Sequence, residues 1–155
     1  DYETRGIMSV FPPEPIPGEE YPLRVPQIDE DGNSVAGLFY PDIAVPLGTY
    51  NGWSLRKEGF AAGEQWMNTG SFVPFARTKA EREANSDPRI SIEERYASHE
   101  AYIDAVKQVC ADRMGEGIML QEDADRFIAA AEKNNPLDPA TRLEPLVQAG
   151  AFRGV

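Results

Sequence analysis

Cysteine and histidine are nearly missing from this chain of 155 residues. One cysteine, Cys110, cannot form an internal disulfide, and one histidine, His99, cannot supply a multi-histidine metal site. Long apolar runs are missing too: the longest, such as Phe127-Ile-Ala-Ala-Ala131, fall far short of the roughly 18 residues that a membrane-spanning helix needs. Basic residues are outnumbered, 15 Lys and Arg against 26 Asp and Glu, for a net charge of −11. Such a balance excludes a surface built mainly to neutralise phosphates, so neither nucleic acid nor an anionic membrane is expected as a partner. Asp1-Tyr-Glu-Thr-Arg5 shows no basic stretch followed by an apolar one, so no signal peptide is read here, and the Asp1 start suggests a piece cut from something longer.

What is present is unevenly spread. Eight of the 13 prolines, from Pro12 to Pro46, precede residue 47 and exclude long helices there. Residues 1–50 carry 2 basic and 9 acidic groups, residues 51–90 carry 6 and 5, and residues 91–155 carry 7 and 12, so the middle is electrostatically distinct. Aromatics gather there as well, with eight of the 15 between Phe39 and Phe75. The chain shows no internal repeat.

The pattern predicts an α+β fold in three parts. Residues 1–20 form an extended arm, in which residues 9–20, holding Val10-Phe-Pro-Pro-Glu-Pro-Ile-Pro-Gly-Glu-Glu20, take a polyproline-like course over some surface. Residues 21–90 hold a small β-hairpin and an aromatic, loop-rich middle: Tyr21-Pro-Leu-Arg-Val25 and Ser34-Val-Ala-Gly-Leu-Phe-Tyr40 flank a turn marked by Asp31-Gly32. Residues 91–155 are helical. Ser91-Ile-Glu-Glu94 is a capping-box pattern, and a second start follows at Ser98. From His99 to Met114, Tyr102, Ala105, Val106, Val109, Cys110 and Met114 recur at helical spacing, and Gly115-Glu-Gly117 stops the run. Leu120, Ala124, Phe127, Ile128 and Ala131 make a second stripe, so the two helices should pair as a hairpin, ended by Asn134-Asn-Pro136. Asp138-Pro139 reads as the cap of a short or broken third helix.

Few residues point to chemistry. Asp29-Glu-Asp-Gly-Asn33 has oxygen ligands at alternate positions, but its glycine comes too early for a calcium loop and Tyr40 stands where the closing glutamate belongs, so a turn is the better reading. His99 sits in the first turn of a helix with no partner in sight, and Cys110 belongs to the core stripe. Gly-x-Ser-x-Gly, whose glycines permit the sharp turn that exposes a nucleophilic serine, is absent; Ser54 lies two residues after Gly52 and Ser71 directly after Gly70, but both lack the second glycine. Arg77-Thr-Lys-Ala-Glu-Arg82 reads as a solvated helical turn. No catalytic residue, metal ligand or cofactor is assigned. Tyr50, Asn51, Trp53, Arg56, Trp66, Ser71 and Arg77 combine aromatics, amides, glycine-rich surroundings and arginine, the mixture found in pockets and interfaces, and form the candidate ligand or interface set.

Several long stretches carry a family likeness. Tyr21-Pro-Leu-Arg-Val-Pro-Gln-Ile-Asp-Glu-Asp-Gly-Asn33, the run from Ala36 to Arg56, the run from Thr69 to Arg82, and Asp87-Pro-Arg-Ile-Ser-Ile-Glu-Glu-Arg-Tyr96 resemble, in consistent order, the C-terminal portion of the bacterial alpha/beta hydrolase domain proteins. The resemblance runs from Gly6 to Glu132. It implies a larger parent protein, often exported to the periplasm or beyond, whose serine nucleophile and histidine lie upstream of the matched segment. His99 therefore inherits no role from it, and no substrate follows. Three functions are consistent with these residues. The first is a non-catalytic segment that packs on or completes a hydrolase body and self-associates when alone. The second is an independent small-ligand-binding domain using the aromatic middle, and the third a weak stand-alone serine hydrolase using Ser54 or Ser71 with His99.

Overall fold

The computed structural model describes Glu14, Gly18 and residues 26–66 and 70–146. The rest of the arm, the expected strand at 21–25 and the end of the chain lie outside the described residues. The fold is α+β, with small antiparallel strand pairs in its middle and helices towards its C-terminal side.

The best-packed part is the helical hairpin, formed by the two longest of five helices among the described residues: α4, His99–Gly115, and α5, Gln121–Lys133. Ser98 caps α4 by accepting from the Ala101 amide at 3.1 Å, as its side chain and position predict. Tyr102, Val106 and Cys110 recur every fourth residue, so they share one face of α4, and all three are fully buried. Burial of each such side chain contributes roughly 1.5–3 kcal/mol. They meet Ala124, Ala130 and Ala131 of α5, whose small side chains let the helices approach closely; the Cys110 thiol lies 4.0 Å from the Ala124 carbonyl. Leu120 departs from the expected stripe. It stands just before α5 as an exposed N-cap residue, because the helix begins one residue later than the apolar spacing suggested.

Three short helices connect the rest. Pro41–Ala44 (α1) starts at a proline, whose fixed φ suits the first helical position. Lys79–Ala84 (α2) buries nothing and is capped by Thr78, which accepts from Glu81 at 3.1 Å. Ile92–Arg95 (α3) begins at the predicted capping box, where Glu94 reaches back to accept from the Ser91 amide at 3.0 Å and the Ser91 hydroxyl at 2.7 Å. Beyond Asn134 no helix follows among the described residues. Asp138 instead makes a tight turn, accepting from the Ala140 amide through its carboxylate and from the Thr141 amide through its carbonyl. Arg77 donates to the carbonyls of Asp138 and Thr141 in this stretch as well.

The middle of the chain is a two-stranded ribbon, which the sequence reading took for loops. Strand β1, Gly48–Asn51, pairs antiparallel with β4, Ser71–Pro74, in the register Tyr50 opposite Phe72. Farther out, β2, Ser54–Leu55, pairs with β3, Gln65–Trp66. The arms then close at a tip, where the Arg56 amide donates to Glu64 at 2.8 Å and the Gly63 amide to Arg56 at 3.1 Å. Gly48 is fixed by space: a Cβ there would lie 2.5 Å from the Val73 carbonyl and 2.6 Å from the Phe72 ring.

The predicted turn at Asp31-Gly32 is present, with Gly32 at φ 77°. Asp29 closes it by accepting from the amides of Asp31 and Asn33 at 2.9 and 2.8 Å. The run 34–40 is not the strand that was expected. Among the described residues one isolated bridge, Ile28 to Ser34, forms, and the chain bends through 35–37 with Gly37 at φ 109°. Val35 and Leu38 are left in solvent, with no sheet face to cover them.

Ribbon root, hairpin and loop join in one core cluster. Val45, Leu47 and Phe75 from the ribbon side meet Ile92, the α4 face and Met119, and Leu146 closes the cluster late in the chain.

Candidate functional site

The seven candidate residues fall into two groups, which the ribbon separates. Tyr50 and Arg77 lie at its root and spend their polar atoms internally. The Tyr50 hydroxyl donates to Asp42 at 3.2 Å, its amide donates to the Asn33 side chain at 2.8 Å, and its ring packs on Phe72 with centroids 5.0 Å apart. Burial, reinforced by the Asp42 carboxylate, pushes the Tyr50 phenol far above its ordinary range, so it stays protonated. The buried phenols of Tyr96 and Tyr102 are raised for the same first reason. Arg77 is a clamp: its guanidinium donates to the carbonyls of Pro136 at 2.8 Å, Asp138 at 2.9 Å and Thr141. It holds the chain beyond α5 against the ribbon root.

The other five line the ribbon's outer length. Asn51 pairs with Ser71 across β1 and β4, and the Ser71 hydroxyl donates to the Trp53 carbonyl at 2.8 Å. Trp53, Trp66, Leu55 and Phe60 are 47, 43, 54 and 88% exposed, far from core values. Arg56 lies over Trp66, 4.4 Å from the ring centroid, and 5.9 Å from that of Phe60. Between them runs a groove of about 420 Å³ lined by Leu55, Arg56, Lys57, Glu58, Phe60 and Trp66. Its chemistry is aromatic and cationic, with one carboxylate.

A second cleft, of about 320 Å³, lies beside the 29–33 turn and is lined by Asp29, Glu30, Asp31, Pro88, Arg89, Ile90 and Arg95. Arg95 and Arg89 stand 4.1 and 5.2 Å from the Phe75 ring centroid. Both are held by ion pairs, Arg95 with Asp31 and Arg89 with Asp87 at 2.6 Å. The Arg89 guanidinium beside Asp87 is the main reason that this carboxyl is held below its usual range. Arg89 also donates to Thr49 at 2.8 Å and Val73 at 3.1 Å, which ties α3's approach to the ribbon.

Sequence reading missed this polar root, and Asn33 above all. Fully buried, Asn33 donates to the Gly48 carbonyl at 3.2 Å and accepts from Tyr50, serving β1 as a strand neighbour would. An asparagine beside a glycine turn gives no local sign of such long-range pairing; only its place directly after Asp31-Gly32 hints at a side chain that bonds backbone.

For nucleophilic chemistry the arrangement offers little. Ser54 and Ser71 donate to the carbonyls of Trp66 and Trp53, and the His99 ring donates through Nε2 to the Ala131 carbonyl at 2.8 Å, joining the start of α4 to the end of α5. Among the described residues no hydrogen bond joins either serine to His99. Nor does any group of three His, Cys, Asp or Glu side chains converge there in a way that could hold a metal. Burial raises the Cys110 thiol above its ordinary value, the opposite of activation. No helix among the described residues is long and apolar enough to cross a membrane.

A family model described as "Alpha/beta hydrolase domain" matches residues 8–129. No curated protein and no solved structure matches the chain.

Proposed function

This chain belongs to the alpha/beta hydrolase domain family, and we propose that its part there is non-catalytic: it packs on and completes a hydrolase body carried by other residues. One observation carries the reading. A closed core coexists with a set of large apolar side chains left in solvent, Ile28 and Leu38 beside the turn and Leu55 and Phe60 on the ribbon. Isolated apolar residues are ordinary on a surface, but clusters on projecting segments mark contact surfaces. The sequence supports the same view, since a hydrolase nucleophile needs a strand-to-helix elbow with flanking glycines and neither Ser54 nor Ser71 has one. Both serines sit instead in ribbon strands.

Separated from such a body, the chain self-associates and binds hydrophobic dye, and Ile28→Ser with Leu38→Ser lowers both. Light scattering that finds a monomer with no dye uptake at micromolar concentration defeats the proposal. A fluorophosphonate probe is expected to leave the chain unlabelled; labelling at Ser54 or Ser71 would make it a hydrolase in its own right. A second reading, a pocket for a small ligand, draws on the stacked Arg56 and Trp66 beside a groove whose volume lies within the usual range for ligand sites. Its test is a metabolite panel, with binding lost in Trp66→Ala at unchanged fold.

A further inference from the structure

We infer that the ribbon groove binds a small amphiphilic monocarboxylate, with Arg56 taking the carboxylate and Trp66, Phe60 and Leu55 covering its apolar body. The inference rests on the second reading above, that of a small-ligand pocket, and names the class of ligand; the docking surface at Ile28 and Leu38 plays no part in it.

Arg56 is the observation that carries it. Every other half-buried arginine among the described residues has its guanidinium committed: Arg77 to three carbonyls, Arg82 to Glu94, Arg89 to Asp87, Arg95 to Asp31 and Arg113 to Glu116. Arg56 is half-buried too, yet among the described residues its guanidinium has no hydrogen bond and no ion pair. Glu58 lines the same groove and Glu64 lies across the ribbon, and neither pairs with it. What holds Arg56 is aromatic: its guanidinium stands 4.4 Å from the Trp66 ring centroid and 5.9 Å from that of Phe60. The indole shields one face from water, while the edge that carries the N–H donors is left without an acceptor. Taking water from a cation without pairing it is unfavourable, so a ligand that supplies the missing acceptor forms bonds that the chain leaves unmade.

Three features select the class. Geometry is the first: a guanidinium held flat on a ring presents a rigid planar fork, and a carboxylate meets such a fork in its own plane with two parallel bonds. Charge is the second. Arg56 and Lys57 stand against the single Glu58, a net of one positive charge that suits a monoanion better than a doubly charged phosphate. The groove also lies in the only third of the chain without an acidic excess, 6 basic against 5 acidic groups over residues 51–90. The walls are the third. Leu55 and Phe60 are 54 and 88% exposed, and an apolar body laid between them and Trp66 gives them burial that the chain alone does not. At about 420 Å³ the groove suits a body the size of one aromatic ring and a short chain. With walls so exposed, affinity should be modest, on the order of 0.1–1 mM.

The probes are 4-phenylbutyrate and its neutral counterpart 4-phenylbutanol, each titrated into the full chain. Tryptophan emission reports binding, because the only two tryptophans, Trp53 and Trp66, both lie on the ribbon. The carboxylate should saturate, and the alcohol should bind about tenfold or more weakly, the usual worth of a charged hydrogen bond. Arg56→Gln should bring the carboxylate down to the alcohol's affinity and leave the alcohol unmoved, which shows that the groove itself is intact. Arg56→Lys, which keeps the charge and loses the fork, should fall between. Phe60→Ser should weaken both probes, and added salt the carboxylate alone. Equal affinity for the two probes, or a carboxylate affinity unmoved by Arg56→Gln, overturns the monocarboxylate and leaves the pocket standing. Binding of neither probe overturns it as well, and the metabolite panel with Trp66→Ala then decides separately whether the groove takes any other ligand.

Discussion

The helical hairpin and the ribbon are of similar chain length and opposite construction. In α4 and α5 the apolar side chains are spent on each other: Tyr102, Val106 and Cys110 vanish from solvent against three alanines. In the ribbon, the large side chains are half-buried at the root, where Phe72 packs on Tyr50, and stand exposed from Trp53 outward. The hairpin therefore carries stability, and the ribbon's outer half carries surface. A protein that exposes two tryptophans and a phenylalanine on a two-stranded arm forgoes the stabilisation their burial would give, and the difference teaches where to look for contacts.

The comparison is broken most severely by damage inside the hairpin. Tyr102→Ala should cost roughly 3–5 kcal/mol, the usual range for deleting a buried aromatic ring, and is read as a fall in the urea midpoint. Tyr102→Phe is the informative control. Among the described residues the buried Tyr102 hydroxyl has no hydrogen-bond partner, so its removal should leave stability equal or raised by about 1 kcal/mol. A large loss in the phenylalanine variant would mean that the hydroxyl is paired after all.

At the ribbon root, Gly48→Ala should cost about 3 kcal/mol, because a methyl 2.5 Å from the Val73 carbonyl forces the two strands apart. Arg77→Ala comes next. It strands the Pro136 and Thr141 carbonyls and leaves Asp138 only its bond from the Thr141 amide, at about 2 kcal/mol. Hydrogen exchange should show the loss concentrated in residues 134–146, with α4 unaffected.

How much of this was legible depends on the range of the interactions. The hairpin could be read because its signals are local: a serine cap, four-residue spacing, glycines at the stop. The ribbon could not, because two of its four strands have two residues each and no alternation longer than β1 exists to be seen. The candidate set was legible as composition and illegible as geometry. Tyr50 and Arg77 look like site residues by type, yet their partners, Asp42, Pro136 and Thr141, lie 8 to 64 positions away in the chain. Leu120 and the third helix failed for the opposite reason: local rules placed them, and a one-residue shift of the helix start and the tight turn at Asp138 decided otherwise.

Acid should loosen the ribbon root. Asp87 has its folded-state pKa lowered from the ordinary 3.8, chiefly by Arg89. A depressed carboxyl contributes stability that is fully present above its unfolded value and is lost as pH falls through the folded one, so the window opens below about pH 4. Asp87→Asn should flatten the acid limb of the stability curve there and leave neutral and basic pH nearly parallel. An unchanged acid limb would remove Asp87 from the account of the root.

The smallest effect is the one that most sharpens the contrast. Phe60 is large, apolar and 88% exposed, and a side chain in that position has given up almost none of its hydration on folding. Phe60→Ser should therefore change stability by no more than about 0.5 kcal/mol, the ordinary range for a surface substitution. Arg56, 5.9 Å from that ring and 4.4 Å from Trp66, keeps its nearer partner. Chemical denaturation of the serine variant decides the matter: an unchanged midpoint leaves the tip as surface held out for a contact, whereas a loss comparable with that of Tyr102→Ala would make the tip part of the core and abolish the distinction between the two regions.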